Sequence, residues 1–179
     1  MKRSDFSNMF CSVARTLDVI GEWWTPLIIR DLLMGNRRFE GLRKSLGISK
    51  KILTDRLQSL LASGVIKKRL YEHSPPRYEY VLTEMGEELG PILLAMLSWG
   101  DKWLSGGEPP LEVKHIDCGH PLKTRVVCAA CGEDVNFNNI SAKPSPGMSE
   151  EQKAFWIELR RDISRRKPLS TFDGEENGS

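Results

Sequence analysis

The chain contains nothing close to the roughly 18 to 20 consecutive apolar residues that span a bilayer, and its opening stretch, Met1 to Phe10, is polar rather than basic and then apolar. The expectation is a soluble, cytoplasmic protein without a membrane partner. Also missing are a Gly-rich phosphate loop, a Gly-x-Ser-x-Gly elbow, and a histidine–carboxylate set near a cysteine outside one cluster in the tail. These gaps argue against an enzyme and leave a thiol or zinc-dependent one as the residual candidate. Cysteine is scarce: the four residues stand at 11, 118, 128 and 131, three of them grouped near a histidine. That is poor material for a disulfide framework and better suited to reduced thiols or a metal site. Net charge is scarce too, at +2 over 179 residues, so an electrostatic partner can be inferred only from where the charges lie.

What is present is a succession of helix signals. Val13 to Ile20 repeats apolar residues at helical spacing and is expected to end at Gly21 in a left-handed conformation. Thr25-Pro26 reads as a cap and first-turn proline for a second helix through Ile28 and Leu32 to Gly35. Phe39, Leu42 and Leu46 predict a short third helix stopping at Gly47. Ser49 then caps a fourth, striped by Leu53, Leu57, Leu60 and Leu61 and closed by Ser63-Gly64. Two amphipathic helices joined by Gly47-Ile48-Ser49 form the core of a helix-turn-helix.

Val65–Tyr71 and Arg77–Leu82 read as strands of a hairpin, with Pro75 and Pro76 assigned to its turn because proline cannot donate to a ladder. Thr83 is expected to cap one long helix from Met85 to Leu104, kinked at Pro91 and richer in Leu, Met and Trp than one small domain requires. The fold class is therefore mostly α with a small β-hairpin wing, a winged helix-turn-helix, plus a small Cys/His-containing extension and a terminal helix. The expected division is 1–105 for DNA binding and dimerisation, 106–147 for a linker and knuckle-like extension, 148–167 for an amphipathic helix opened by a Ser149/Gln152 capping box, and 168–179 for a disordered tail.

Charge distribution then supplies what net charge does not. Eleven Lys and Arg against three acidic residues lie between Arg37 and Arg77, so a nearly neutral chain has placed its cations on one module. With Leu53 taken as inward, Lys51, Thr54, Asp55 and Gln58 point outward as candidates for base edges. Ser49, Lys50 and Arg56 are placed for phosphate, with Arg37 and Arg38 before the third helix and His73 and Arg77 on the wing. The expected partner is double-stranded DNA. A protein-binding winged helix is the alternative, but the polar outward set does not suit it, since such a face would show exposed aromatic or aliphatic residues.

The residues also resemble a known family. Thr16 to Gly21, Trp24 to Leu33, Gly35 to Phe39, Ile48 to Leu57, Pro75 to Tyr80 and Leu82 to Gly86 occur in the order found in the HxlR family of bacterial winged-helix regulators. This resemblance covers about Cys11 to Trp103. It implies a homodimer formed by the helices flanking the DNA-binding core, reading two half-sites. It also implies a sensor role for Cys11, because members often carry a cysteine just before the first helix that in some responds to oxidants or electrophiles; here Ser12 replaces the expected proline. A helix start and Arg15 one turn on favour a thiolate at Cys11, while the competing reading is a buried thiol acting as a small apolar residue. An oxidant or small-molecule effector follows from the first reading.

The tail carries Cys118-x-His120, then Cys128-x-x-Cys131-Gly132, with His115 ahead of Cys118 and two residues between them. Cys118, His120, Cys128 and Cys131 form the candidate Zn2+ set, with His115 as the alternative fourth ligand. A decayed or redox-active site on a small β unit is the competing reading. Arg160, Arg161, Arg165, Arg166 and Lys167 on the last helix are read as solvated, with phosphate contact as the alternative.

Overall fold

The structure is a computed structural model that describes residue 6 and residues 9–165, side chains at 159 and 162–165 excepted. The tail expected at 168–179, together with Arg166 and Lys167, lies outside the described residues. The described chain forms two compact units, one reaching Arg125 and one beginning at Val126.

In the first unit, α1 (Ser12–Ile20) turns its Ala14 and Ile20 side inward, and α2 (Trp24–Leu33) contributes Ile28, Ile29 and Leu32. Gly21 ends α1 at φ −75°, not in a left-handed conformation, with its N–H on the Leu17 carbonyl. What it supplies is closeness: a Cβ there would collide with that same carbonyl. Thr25 is not a cap. The helix begins earlier, the Thr25 amide bonds the Glu22 carbonyl at 2.8 Å, and its side chain is buried. Pro26 still falls within the first turn, where its missing N–H costs nothing.

The α2 to α3 turn is held by Asp31, which is buried. Its carboxylate accepts from Arg30 at 2.6 Å and from the Asn36 side chain at 3.3 Å, while its carbonyl accepts the Asn36 amide. Helix α3 (Phe39–Leu46) follows and stops at Gly47, whose φ of 65° is the left-handed conformation that a side chain would resist. Ile48 drops into the core, and Ser49 caps α4 (Lys50–Ala62) by accepting the Ile52 amide at 3.2 Å. Gly64, at φ 75°, closes α4 with its own N–H on Leu61 and that of Val65 on Leu60.

Leu53, Leu57 and Leu60 are fully buried against Ile28, Ile29 and Leu42. At about 1.5 to 3 kcal/mol for each such side chain, this stripe is what presses α4 onto the domain. Leu61 packs only partly against the same core.

Strands β1 (Ile66–His73) and β2 (Pro76–Leu82) pair antiparallel from Ile66 opposite Leu82 to His73 opposite Pro76, with a bulge that leaves Tyr71 unmatched. The proline assignment is therefore half right: Pro75 is in the turn, but Pro76 is the first residue of β2, a position that needs no ladder donor. Thr83 caps as expected, accepting the Gly86 amide at 3.3 Å and bonding the Gly64 carbonyl at 2.7 Å. The single kinked helix is replaced by two, α5 (Glu84–Glu87) and α6 (Gly90–Trp103). Pro91 would clash with the carbonyl one turn earlier if the helix ran through, so α5 ends and α6 starts afresh with Pro91 in its first turn.

In the second unit, α7 (Glu150–Arg165) opens with the reciprocal capping box read from the sequence: the Gln152 amide bonds Ser149 Oγ at 3.2 Å and the Ser149 amide bonds Gln152 Oε1 at 2.7 Å.

Candidate nucleic-acid interface

With its leucine stripe turned inward, α4 has one face left for solvent. Lys51, Asp55 and Gln58 are exposed on it at helical spacing, while Thr54 is half-buried beside them. Ser49 spends its side-chain acceptor on the Ile52 amide. The amides ahead of it in the first turn have no helical carbonyl to bond and are free for an anion. Lys50 is exposed at that same end.

Arg56 is placed differently from the other cations of the helix. It turns to Glu22, in the α1 to α2 connection, at 3.2 Å, and its side chain is only 23% exposed. Arg77 pairs with Glu72 across the hairpin at 3.4 Å, and His73 stands exposed at the end of β1. Arg38 lies over the ring of the bulged Tyr71 at 4.6 Å, joining the start of α3 to the wing. Arg37 gives its carbonyl to the Tyr80 amide at 2.8 Å. It also helps line a cavity of about 510 Å³ together with Leu32, Leu33, Val81 and Leu82, the cations Lys67 and Arg69, and the acid Glu87. Burial raises the Tyr80 phenol above its ordinary range.

Arg43, Arg56, Arg69 and Arg77 have carboxylate partners. Among the described residues Arg37, Arg38, Lys44, Lys50, Lys51, Lys67 and Lys68 have none, so most of the surplus charge remains available. Lys44, Lys67 and Lys68 were visible in the sequence only as charge; nothing in their spacing marked them as part of a surface.

Cys11 is the residue just before α1, extended at φ −143°, exposed and not disulfide-bonded, with its side chain capping nothing. The reading of a buried apolar filler is thereby overturned, because the helix starts after Cys11 and leaves the thiol outside the packed face.

The tail donors stand in two pairs, one in each unit. In the first, His115 Nδ1 lies 3.3 Å from Cys118 Sγ, and His115 Nε2 lies 3.7 Å from Asp117. In the second, the Cys128 thiol is held below its ordinary range by the Ala130 and Cys131 amides and by the Cys131 thiol. Among the described residues no three Cys, His or carboxylate side chains gather as a metal would gather them. No described helix is long and apolar enough to cross a membrane.

Comparison with known proteins agrees with this geometry. A 39% identical relative, the uncharacterized HTH-type transcriptional regulator Rv3095 of Mycobacterium tuberculosis, aligns over 150 residues, 82% of this chain and 95% of its own. YdeP of Bacillus subtilis, also described as an HTH-type transcriptional regulator, is 40% identical over 52% of this chain and 73% of its own. Among solved structures, PA1607, described as a putative transcription factor, superposes with a TM-score of 0.71 at 33% identity, covering 79% of this chain and all of that one. PA1374 from Pseudomonas aeruginosa, described in the same way, gives 0.58 at 33% identity over 81% of this chain and 99% of its own. The profile of the HxlR-like helix-turn-helix family matches residues 19–108, the span from the end of α1 through α6 that holds the helix-turn-helix and its wing. The chain belongs to the HxlR-like helix-turn-helix family of transcriptional regulators.

Proposed function

We propose that this regulator binds duplex DNA as a homodimer, placing α4 in the major groove and the hairpin tip, from His73 to Arg77, against the flanking backbone. The observation that carries the reading is the outer face of α4. Lys51, Asp55 and Gln58 are exposed there above a fully buried leucine stripe, on a module with seven cations lacking a carboxylate partner among the described residues. Side chains of this kind bond base edges, whereas the cations and the first-turn amides of α4 serve phosphate. Arg56, occupied by Glu22, has a positioning role instead, fixing the start of α2 against α4. No part of the reading requires catalysis.

Support for the dimer comes from α6, in which no residue is buried: Trp99 is 59% exposed, Trp103 62% and Leu104, just beyond it, 75%. Val13 and Leu17 on α1 are likewise exposed. Apolar surface of this extent in a DNA-binding module is what a second copy would cover.

Cys11, exposed at the start of α1, is the site proposed for an oxidant or electrophile. Cys11→Ser is expected to retain DNA binding in reducing buffer and to lose any response to peroxide, aldehyde or quinone; an unchanged response would remove Cys11 from the account. The DNA reading itself is tested by titrating the full chain against the promoter duplex of its own operon and against an unrelated duplex. Tighter binding to the former supports it, and equal, weak binding to both favours a protein-interaction module.

A further inference from the structure

The cavity of about 510 Å³ beside the wing has a lining of two kinds. Its apolar part comes from Leu32 and Leu33 at the end of α2 and from Val81 and Leu82 at the end of β2. Leu32 and Val81 are buried, whereas Leu33 remains 41% exposed. Its charged part is Arg37, Lys67, Arg69 and Glu87. The hairpin register explains how the cations gather there. Lys67 stands opposite Val81 and Arg69 opposite Glu79, so these four lie on one face of the hairpin. Arg37 is brought alongside by its carbonyl, which accepts the amide of Tyr80, the residue before Val81, at 2.8 Å.

The four charges are not equivalent. Arg69 is occupied by Glu79, whose carboxylate accepts from its Nε at 2.7 Å. Arg37, Lys67 and Glu87 are exposed and have no ion-pair partner among the described residues. Two unpaired cations against one acid leave the lining net positive around four apolar side chains. Inorganic phosphate would suit the cations and gain nothing from the leucines. A wholly apolar guest would take water from the cations and return no partner. A small organic acid satisfies both parts, with its carboxylate paired to Arg37 or Lys67 and an aromatic or branched body against Leu32, Leu33 and Val81. The volume falls within the range of about 300 to 1,000 Å³ that such sites occupy.

We propose that this cavity binds a small carboxylic acid with an apolar body, and that its occupancy weakens binding to DNA. The second half rests on the DNA reading above. Arg37 and Lys67 are two of the seven cations available to phosphate, and a bound anion cancels charge on that module. The coupling is reciprocal, so DNA weakens the hold on the acid by the same factor. No covalent step is involved, which separates this input from the thiol of Cys11.

The test is a titration of the isotope-labelled full chain with diphenylacetate, followed by backbone amide shifts in NMR spectra, beside titrations with neutral diphenylacetamide and with inorganic phosphate. Saturable shifts are expected at Leu33, Arg37, Lys67 and Val81, with affinity for the acid at least about tenfold above that for the amide or for phosphate. Lys67→Gln, a change at an exposed position of the hairpin, should lower that affinity by about the same factor. No saturable shift at these residues, shifts confined to α6, or equal affinity for the amide or for phosphate overturns the site. The comparison of acid with amide needs no substitution, so it decides the matter even where a variant folds poorly. Saturating diphenylacetate should also weaken binding to the promoter duplex by about fivefold or more. Unchanged duplex affinity overturns the coupling. A chain that shows the shifts but binds no duplex loses the DNA reading and keeps the site.

Discussion

Lys50 and Arg56 are both cations of α4, two turns or less apart, and their surroundings separate them. Lys50 stands exposed at the helix start, while Arg56 is held by Glu22 at 3.2 Å. Lys50→Ala is therefore expected to weaken binding to all duplexes alike and to lower the salt slope of log affinity by about one, the signature of a lost phosphate contact. Arg56→Ala is expected to leave that slope unchanged and to cost up to about 1 kcal/mol of stability in urea denaturation, the range of a partly exposed ion pair. The sequence could not distinguish the two residues, because helical spacing reports which face a side chain leaves but not a partner more than thirty positions away. Asp31 was missed for a related reason. Between Arg30 and Leu32 it looks like an ordinary surface acid, and only the turn that brings Asn36 back to it makes it an organising group. Ser49, by contrast, was legible, since a cap acts on an amide three residues away.

At the scale of elements, most features set by neighbours in sequence were read correctly, the left-handed end expected at Gly21 excepted, and those set by competition between signals were not. Helices α3 and α4, the Gly47 turn and the Ser149/Gln152 box depend on local spacing and appear as expected. Thr25 was misplaced because the Glu22 carbonyl starts α2 sooner than the threonine could cap it. The kink expected at Pro91 became a break because the proline serves better as the start of a new helix than as a fault within an old one. The root of the wing depends on an approach that no pattern announces: Gly86 packs so closely that a Cβ would strike the Val65 carbonyl, next to the bonds of Thr83 to Gly64 and Val65. Gly86→Ala should thus force α5 away from the Val65 carbonyl at the root of the wing, at about 1 to 3 kcal/mol in thermal denaturation. Were Gly86→Ala as stable as the parent chain, α5 would not be clamped to the wing root in this way.

For the whole molecule, the question is what covers α6. Its tryptophans are largely exposed, so Trp99→Glu with Trp103→Glu should cost the monomer little stability while placing charge on the proposed interface. Sedimentation is expected to show a dimer for the parent chain and a monomer for the double variant. A variant that stays dimeric would move the interface away from α6. Sequence periodicity showed an apolar surplus on this segment but could not tell core from interface, because both are apolar at the same spacing.

The central claim is that α4 reads DNA with the face opposite its leucine stripe. Its most direct test compares Lys51→Ala and Gln58→Ala with the parent chain, measuring affinity for the promoter duplex and for an unrelated duplex at two salt concentrations. The account predicts binding by the parent that falls steeply with salt, and a loss of about 1 to 3 kcal/mol in each variant that is confined to the promoter duplex for Gln58→Ala and largest there for Lys51→Ala. Promoter affinity unchanged in both variants would contradict it.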